Sequence, residues 1–337
     1  MDIQVIEPKT LQEAIVYFSN PNHCLAYLAK KRWPDGVVIC PTCGSKQVHF
    51  LATRRLWQCV NEHTRRQFSI KVGTVMEDSA IGLDKWLCAM WMLTNDKNGI
   101  SSYELHRAIG VTQKSAWFML HRIRKAMADG SIGKLGGPGG EVEVDEIFIG
   151  GKFKNMHSRK RNRIIRKNGG VSAGPSLNKT AVMGILDRDL RKIRATVVAN
   201  TSRKILQDEV LNNVTHGTSV FTDESRSYVS LRENYVHEVV NHIDTYVRGR
   251  VHTNGLENFW SLLKRGLNGT YISVEPFHLS RYVDEQAFRF NNRATKDNPL
   301  NDNDRFELAV SQIIGKRLTY KELTGKELLE KPRPEAL

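Results

Sequence analysis

Two sets of residues in this chain have the types and spacing of chemical sites. Cys40-x2-Cys43 and, fifteen residues on, Cys59-x3-His63 supply four ligands in two pairs. Two short knuckles joined by a hairpin-forming span assemble a tetrahedral Cys3His zinc site, structural because protein fills all four positions and leaves none for water. Four unrelated side chains at chance spacing are the plain alternative. The second set is acidic. One acid lies inside the apolar run Glu141-Val-Glu-Val-Asp-Glu-Ile-Phe-Ile149, one follows the run Gly217–Thr222 in Asp223-Glu224, and Glu257 lies on a helix opened by His252-Thr-Asn254. A carboxylate in an apolar strand needs a partner. Three converging on one sheet edge can hold two Mg²⁺ ions, which activate an attacking oxygen and stabilise the leaving oxygen of an in-line phosphoryl transfer. Lys264, two turns beyond Glu257, shares nearly the same helix face and would set an ammonium on a DNA phosphate beside the metals. Spacing leaves a second reading open, in which the strand acid forms an ion pair, Asp223 is a turn residue and Glu257 with Lys264 is a solvated face.

The elements that must carry these residues are readable around them. Pro41 and Gly44 suit a tight knuckle, and His49-Phe50-Leu51 with Leu56-Trp57-Gln58 supply two strands. Cys24 and Cys88, the latter in the apolar helical run Trp86–Leu93, are expected in the core. Ser101-Ser-Tyr-Glu104 is a capping box, its helix stops at Gly110, and Thr112 caps a second helix from Gln113 to about Met127. The pair reads as a helix-turn-helix, or else as an ordinary helical hairpin. Its second helix buries Ala116, Met119, Leu120 and Ile123 and leaves Gln113, Lys114, Arg122, Arg124 and Lys125 free to reach a major groove. Further on, Thr180–Leu186 and Ile193–Val198 form a hairpin, Ser202 to about Val214 a helix, and Gly217–Thr222 and Tyr235–Asn241 two strands. The order β-β-β-α-β-β-α makes this part mixed α/β.

With 337 residues the chain can bury a large core divided among two or three domains, and Lys plus Arg exceed Asp plus Glu by 50 to 36. The +14 surplus points to a polyanion, most simply nucleic acid. From Ala294 to Leu337 eight basic residues balance eight acidic ones, so the surplus lies before residue 294. Lys152–Lys167 holds eight Lys/Arg and no acid and runs into a Gly-rich stretch, so it reads as a flexible basic loop, either solvated or gripping DNA through Arg159, Lys160, Arg161 and Arg163. No apolar run reaches the roughly 18 residues of a membrane span, and the N-terminus lacks the order of a signal peptide, so a cytoplasmic, nucleoid-associated protein is expected. Few cysteines and one CxxC argue for metal in a reducing compartment over a disulfide scaffold. Six glycines and a proline in Asp129–Gly140 mark the clearest domain boundary. The expected organisation is an N-terminal region 1–80 with a zinc ribbon at about 36–72, a helix-turn-helix domain 81–130, a linker 131–140, a catalytic domain 141–293 and a C-terminal helical tail 294–337.

Several blocks carry a resemblance: Glu62-His63 with Arg66–Thr74, Lys97–Glu104, Gln113–Trp117, Val144–Gly151, His252–Glu257 and Leu263–Tyr271. Over roughly residues 20–295 the chain resembles the IS1595-type (ISXO2-like) insertion-sequence transposases. The resemblance implies an α/β, RNase H-like DDE catalytic domain preceded by a zinc ribbon and a helix-turn-helix. It places the acids at Asp145, Asp223 and Glu257 and the basic residue at Lys264. Choosing Asp145 over Glu143 and Glu146, and Asp223 over Glu224, rests on it. The third acid of the family is sometimes Asn, which brings Asn254 and Asn258 into view, although Glu257 fits the frame with Lys264 better. Cys59-x3-His63 stands where many relatives have a second Cys-x2-Cys, so His63 departs from their pattern. Implied with the fold are two Mg²⁺ (or Mn²⁺) ions, a structural Zn²⁺, and double-stranded DNA as partner, both as transposon ends and as target. A homodimer or larger assembly on DNA follows from the need to pair two ends. Rival classes are a domesticated, non-catalytic DNA-binding regulator and an RNase H-like nuclease.

Overall fold

A computed structural model describes residues 6–128, 133–151, 155–167, 179–223, 228, 235–240, 252–296 and 298–325, with the side chains of Lys160, Lys167, Asp223, Val239 and Val240 outside the description. The chain divides into two compact units, residues 1–129 with 292–337, and residues 130–291. Among the described residues no helix is long and apolar enough to cross a membrane.

The first unit opens with helices α1 (Leu11–Phe18) and α2 (Pro21–Arg32), each started by a side-chain cap from Thr10 or Asn20. A three-stranded antiparallel sheet follows, β1 (Val48–Leu51), β2 (Leu56–Cys59) and β3 (Gln67–Phe68). Then come α3 (Leu83–Asn95), α4 (Ser102–Ile109) and α5 (Gln113–Met127). The end of the chain returns to this unit as α10 (Asp302–Ser311) and α11 (Tyr320–Leu323), numbered past the helices of the second unit. Phe306 of α10 is fully buried, with ring centroids 5.8 Å from Phe18 and Tyr27 and 5.0 Å from Trp91. Truncating such a ring costs about 3–5 kcal/mol. The segment expected as a separate tail is therefore core to the N-terminal unit. Balanced charge does not distinguish the two, because Phe306, Leu318 and Leu323 are what is buried.

The second unit is built on one five-stranded sheet. In chain order its elements are β4 (Glu141–Ile149), α6 (Ser158–Lys167), β5 (Thr180–Asp187), β6 (Lys192–Val198), α7 (Arg203–Asn213), β7 (Ser219–Asp223), β8 (Val236–Val240), α8 (Asn254–Arg265) and α9 (Leu279–Asn291). Spatial order is β6-β5-β4-β7-β8, antiparallel across β6-β5-β4 and parallel across β4-β7-β8. This is an RNase H-like sheet. Period-two alternation sorts its residues between two cores. Val142, Val144, Met183 and Ile185 pack with Leu206 and Val210 of α7, whereas Val182, Leu186 and Ile147 pack with Phe259, Trp260 and Leu263 of α8 and Val283 of α9.

The Gly-rich stretch is only partly a linker. Leu135 is buried in the second unit's core, the Gly136 N–H donates to Asp187 Oδ2 at 2.8 Å, and the Gly137 N–H donates to Thr218 Oγ1 at 2.9 Å. A Cβ on Gly136, whose φ is +73°, would lie 2.5 Å from the Thr218 side chain. Here glycine serves close approach as well as flexibility.

Candidate active site and metal centre

The four ribbon ligands meet. Gly44, at φ +73°, turns the first knuckle so that its N–H reaches the Cys40 carbonyl at 2.9 Å. The two strands form where the sequence suggested, β1 and β2 pairing Phe50 with Trp57 and Val48 with Cys59, and Trp57 packs between Trp33, Phe50 and Phe68. Cys40 Sγ lies 3.4 Å from His63 Nε2 and Cys43 Sγ lies 3.6 Å from Cys59 Sγ, all four ligand atoms falling within 4.8 Å of one another. A tetrahedron with Zn–S bonds of about 2.3 Å has edges of about 3.8 Å, so the cluster fits zinc in size and in donor type. His63 Nδ1 is buried with no hydrogen-bond partner among the described residues, so the Nε2 position is what fixes the imidazole. Burial raises the Cys40 thiol, but N–H groups of Cys43 and Thr42 and the Cys43 and Cys59 thiols bring it down to about 7, toward the thiolate a metal needs. By contrast, burial pushes Cys24 up to about 12 and Cys88 up to about 11; Cys24 lies in the core as expected, whereas Cys88 is half-buried.

The two-helix motif forms as read. Ser101 and Glu104 exchange capping-box bonds, Gly110 adopts φ +62°, and Thr112 Oγ1 accepts from the Ser115 N–H at 3.1 Å. Its outward face is narrower than the sequence suggested. Arg122, expected to be free, is 6% exposed; its Nε donates to the Leu318 carbonyl at 3.1 Å, and Nη1 donates to the Glu77 carbonyl at 2.8 Å. Arg124 is buried, and Lys125 donates to the Arg317 carbonyl and to Glu322 Oε1. The cause is the returning C-terminal segment, whose Tyr320 also lies against Phe118 and under the Lys114 ammonium at 4.8 Å. Gln113 Nε2 donates to Ser102 Oγ at 2.9 Å. What the helix presents outward is its first turn, where Lys114 is exposed.

On β4 the structure separates the acids that spacing left equivalent. Glu146 faces the α7 core and accepts from the buried Tyr228 hydroxyl at 2.5 Å. Glu143, 2% exposed, is bound on both oxygens, from Arg188 Nε at 2.8 Å and from the Leu256 N–H at 2.9 Å. Asp145 is half-buried on the α8 face, where Oδ2 accepts from Trp260 Nε1 at 2.9 Å and Oδ1 from the Glu146 N–H at 2.8 Å. Parallel pairing of Glu141 with Ser219, Val142 with Val220 and Glu143 with Phe221 has an offset that, carried two residues further, brings Asp145 level with Asp223 at the end of β7. The Asp223 side chain and all of Glu224 lie outside the described residues. Glu257, Asn258 and Lys264 are exposed on α8, with Glu257 and Lys264 one turn either side of Trp260. Beyond α8 a π-helix, Gly266–Tyr271, is anchored when Tyr271 and Arg289 both donate to buried Glu285.

The basic run differs from expectation. Ser158–Lys167 is helix α6 rather than loop, with Arg159 and Arg163 exposed and Arg161 half-buried, while the Lys160 side chain and residues 152–154 are outside the description. With no proline or glycine between residues 158 and 167, the charge run folds. Sequence reasoning missed Trp260, Gly184, Arg188 and the role of Glu143. The signal available for Glu143 was its position in an apolar strand, which requires a partner.

Residues 136–291 match the ISXO2-like transposase domain family, and residues 19–61 match a transposase zinc-ribbon domain. The second match stops short of His63, which the geometry nonetheless brings into the cluster. A protein of Halobacterium salinarum, described as an uncharacterized protein in transposable element ISH50, is 31% identical over 253 residues, spanning 72% of this chain and 81% of its own. Among solved structures, the simian T-cell lymphotropic virus intasome in complex with PP2A regulatory subunit B56 gamma is similar at 12% identity and a TM-score of 0.29, over 65% of this chain and 74% of that one. That likeness is too slight to carry an argument.

Proposed function

The chain belongs to the ISXO2-like transposase family, an insertion-sequence transposase with a zinc ribbon, and from that premise we propose that it binds terminal inverted repeats and catalyses metal-dependent cleavage and strand transfer. The observation supporting this reading is the parallel pairing of β4 with β7, whose offset carried two residues past Glu143 and Phe221 would set Asp145 level with Asp223, with α8 bonded to Asp145 through Trp260. Asp145, Asp223 and Glu257 are the acids that would hold two Mg²⁺ or Mn²⁺ ions. Their oxygen donors suit a hard cation, and Asp145 is half-buried where Glu143 is closed off at 2% exposure. When bound, the two ions would activate the attacking oxygen and stabilise the leaving one.

Water attacks the phosphodiester at a transposon end and frees a 3′-hydroxyl. That hydroxyl then attacks a target phosphodiester and displaces the target's 3′-oxygen, with no bond to protein at any stage. Trp260 aims the Asp145 carboxylate, and Lys264 sets a point charge on one phosphate oxygen of the scissile strand. The ribbon and the first turn of α5, through Gln113 and Lys114, hold end DNA. Basic α6, through Arg159, Lys160, Arg161 and Arg163, holds phosphates nearby. Because two ends must be paired before joining, the working form on double-stranded DNA is a dimer or larger.

The test is strand transfer with a pre-cleaved end and a plasmid target in Mg²⁺. Joined products are expected. Binding without joining would make the protein a regulator, and cutting of hybrids without joining would make it a nuclease.

A further inference from the structure

The helix that carries Glu257 lacks an ordinary cap. α8 begins at Asn254, its N-cap Thr253 makes no side-chain bond, and the N3 amide that such a bond would satisfy belongs to Leu256. The acceptor comes from another element: Glu143 Oε2, on β4, takes the Leu256 N–H at 2.9 Å. Room for the carboxylate depends on Gly255, since a Cβ there would lie 2.9 Å from Glu143 Oε2 and 2.3 Å from Leu186 Cδ2. The other carboxylate oxygen is fixed by Arg188, whose guanidinium also reaches Glu141 at 3.1 Å and His252 Nδ1 at 2.9 Å and lies 4.3 Å over the Phe221 ring.

Glu143 is also two residues from Asp145 on the same face of the same strand, a separation of about 7 Å. One rigid strand thus carries a catalytic-acid position and the acceptor that locks the helix bearing the third acid. A helix turned by one residue loses the bond to Leu256, and Glu257 moves with it. We infer that Glu143 is a positioning residue of the active site, setting where α8 places Glu257 relative to Asp145. The inference rests on the reading of Asp145, Asp223 and Glu257 given above. Both carboxylate oxygens of Glu143 are engaged by Arg188 and the Leu256 N–H, so it is assigned a positioning role. Its negative charge also complements the positive end of the α8 dipole.

The test uses full-length Glu143→Ala, Glu143→Gln and Gly255→Ala, with end-DNA cleavage normalised to folded protein and Mn²⁺ affinity measured without DNA by electron paramagnetic resonance. Misplacing a reacting group by about 1 Å costs on the order of a hundredfold, so Glu143→Ala should slow cleavage by about that factor. Loss of a residue that orients a ligand weakens metal binding by roughly tenfold or more, so Mn²⁺ affinity should fall with it. Glu143→Gln keeps an acceptor for the Leu256 N–H and should recover most of both losses. If Glu143→Ala does not fold, Gly255→Ala decides, because its methyl group displaces the carboxylate without removing it, and the same two losses are expected. A lowered melting temperature with unchanged Mn²⁺ affinity and unchanged cleavage overturns the inference. Asp145→Asn, run alongside, separates the failures: if it cleaves normally, the active-site reading falls and takes the inference with it. If Asp145→Asn alone is impaired, only the inference falls.

Discussion

Trp260 reaches Asp145 across Gly184. The indole Nε1 donates to Asp145 Oδ2 at 2.9 Å, and Gly184 is the residue that β5 pairs with Asp145. A Cβ on Gly184 would lie 2.8 Å from two Trp260 ring carbons and from Leu256 Cδ2, so a flat indole on the sheet requires glycine there. A hydrogen bond to a carboxylate contributes about 1.5–3 kcal/mol. Trp260→Phe keeps most of the packed ring and removes the donor, so cleavage normalised to folded protein should fall roughly tenfold to a hundredfold, with the melting temperature lowered by several degrees. Cleavage at the wild-type rate would mean that other groups aim the carboxylate.

Asp145 and Glu146 of β4 should differ in what their loss does. Asp145→Asn should abolish cleavage in Mg²⁺ while binding end DNA nearly as well, because affinity comes mainly from basic groups on phosphates. Glu146→Gln, on the opposite face beside Tyr228, should keep activity. Gel-shift and cleavage assays on the same preparations decide this, and an active Asp145→Asn would remove the residue from the chemistry.

Cys40, Cys43, Cys59 and His63 enclose a site whose metal should supply much of the ribbon's folding free energy, because its three strands are too short for a core of their own. Protein purified without chelator should carry about one zinc per chain. Cys59→Ser should lose that zinc and end-DNA binding together. Metal analysis finding no zinc in the wild-type protein would contradict the assignment.

The strands and the two-helix motif were legible because their signals are local: alternation in Glu141–Ile149, a capping box at Ser101, a glycine stop at Gly110. The ligand set was legible because knuckle spacing is a covalent constraint. What escaped depends on bonds between residues far apart in sequence. Arg122 looked free because the helix pattern around it says nothing of Leu318, 196 residues away, whose carbonyl it binds. Glu143, Asp145 and Glu146 looked alike because period two tells which two share a face and not which face meets α8. Trp260 is core at 3% exposure, and nothing local in the sequence says that its one polar atom meets Asp145, 115 residues away.

Helix α6 should contribute to DNA affinity through its arginines. Neutralising Arg159, Lys160, Arg161 and Arg163 together should reduce the slope of log affinity against log salt by up to about 0.9 for each phosphate that the helix no longer neutralises. Cleavage at saturating DNA should change little. Anisotropy titrations over a range of salt measure the slope, and an unchanged slope would make α6 a solvated decoration.

Lys264 lies in the last turn of α8, one turn past Trp260, and is exposed. Two roles compete for it. A cation in a last turn favours the helix dipole by about 0.3–1 kcal/mol, which any exposed lysine there would do. The alternative is a point charge on the scissile strand, held in place because α8 is fixed at its start by Glu143, along its length by Trp260 on Asp145, and past its end by Tyr271 on Glu285. An ammonium positioned by so constrained a helix loses little freedom on meeting a phosphate. Lys264→Ala should then cut end cleavage by on the order of tenfold to a thousandfold, as when one electrostatic support is removed. Melting temperature and zinc content should stay normal, and DNA affinity should fall only slightly, since many other basic groups still hold the backbone. Lys264→Arg tests the geometry, because a planar fork in place of a compact ammonium should restore the charge but not the full rate. Normal transposition by Lys264→Ala would return the lysine to the helix-dipole role and would bring the placement of Glu257, one turn before Trp260 on the same helix, into doubt with it.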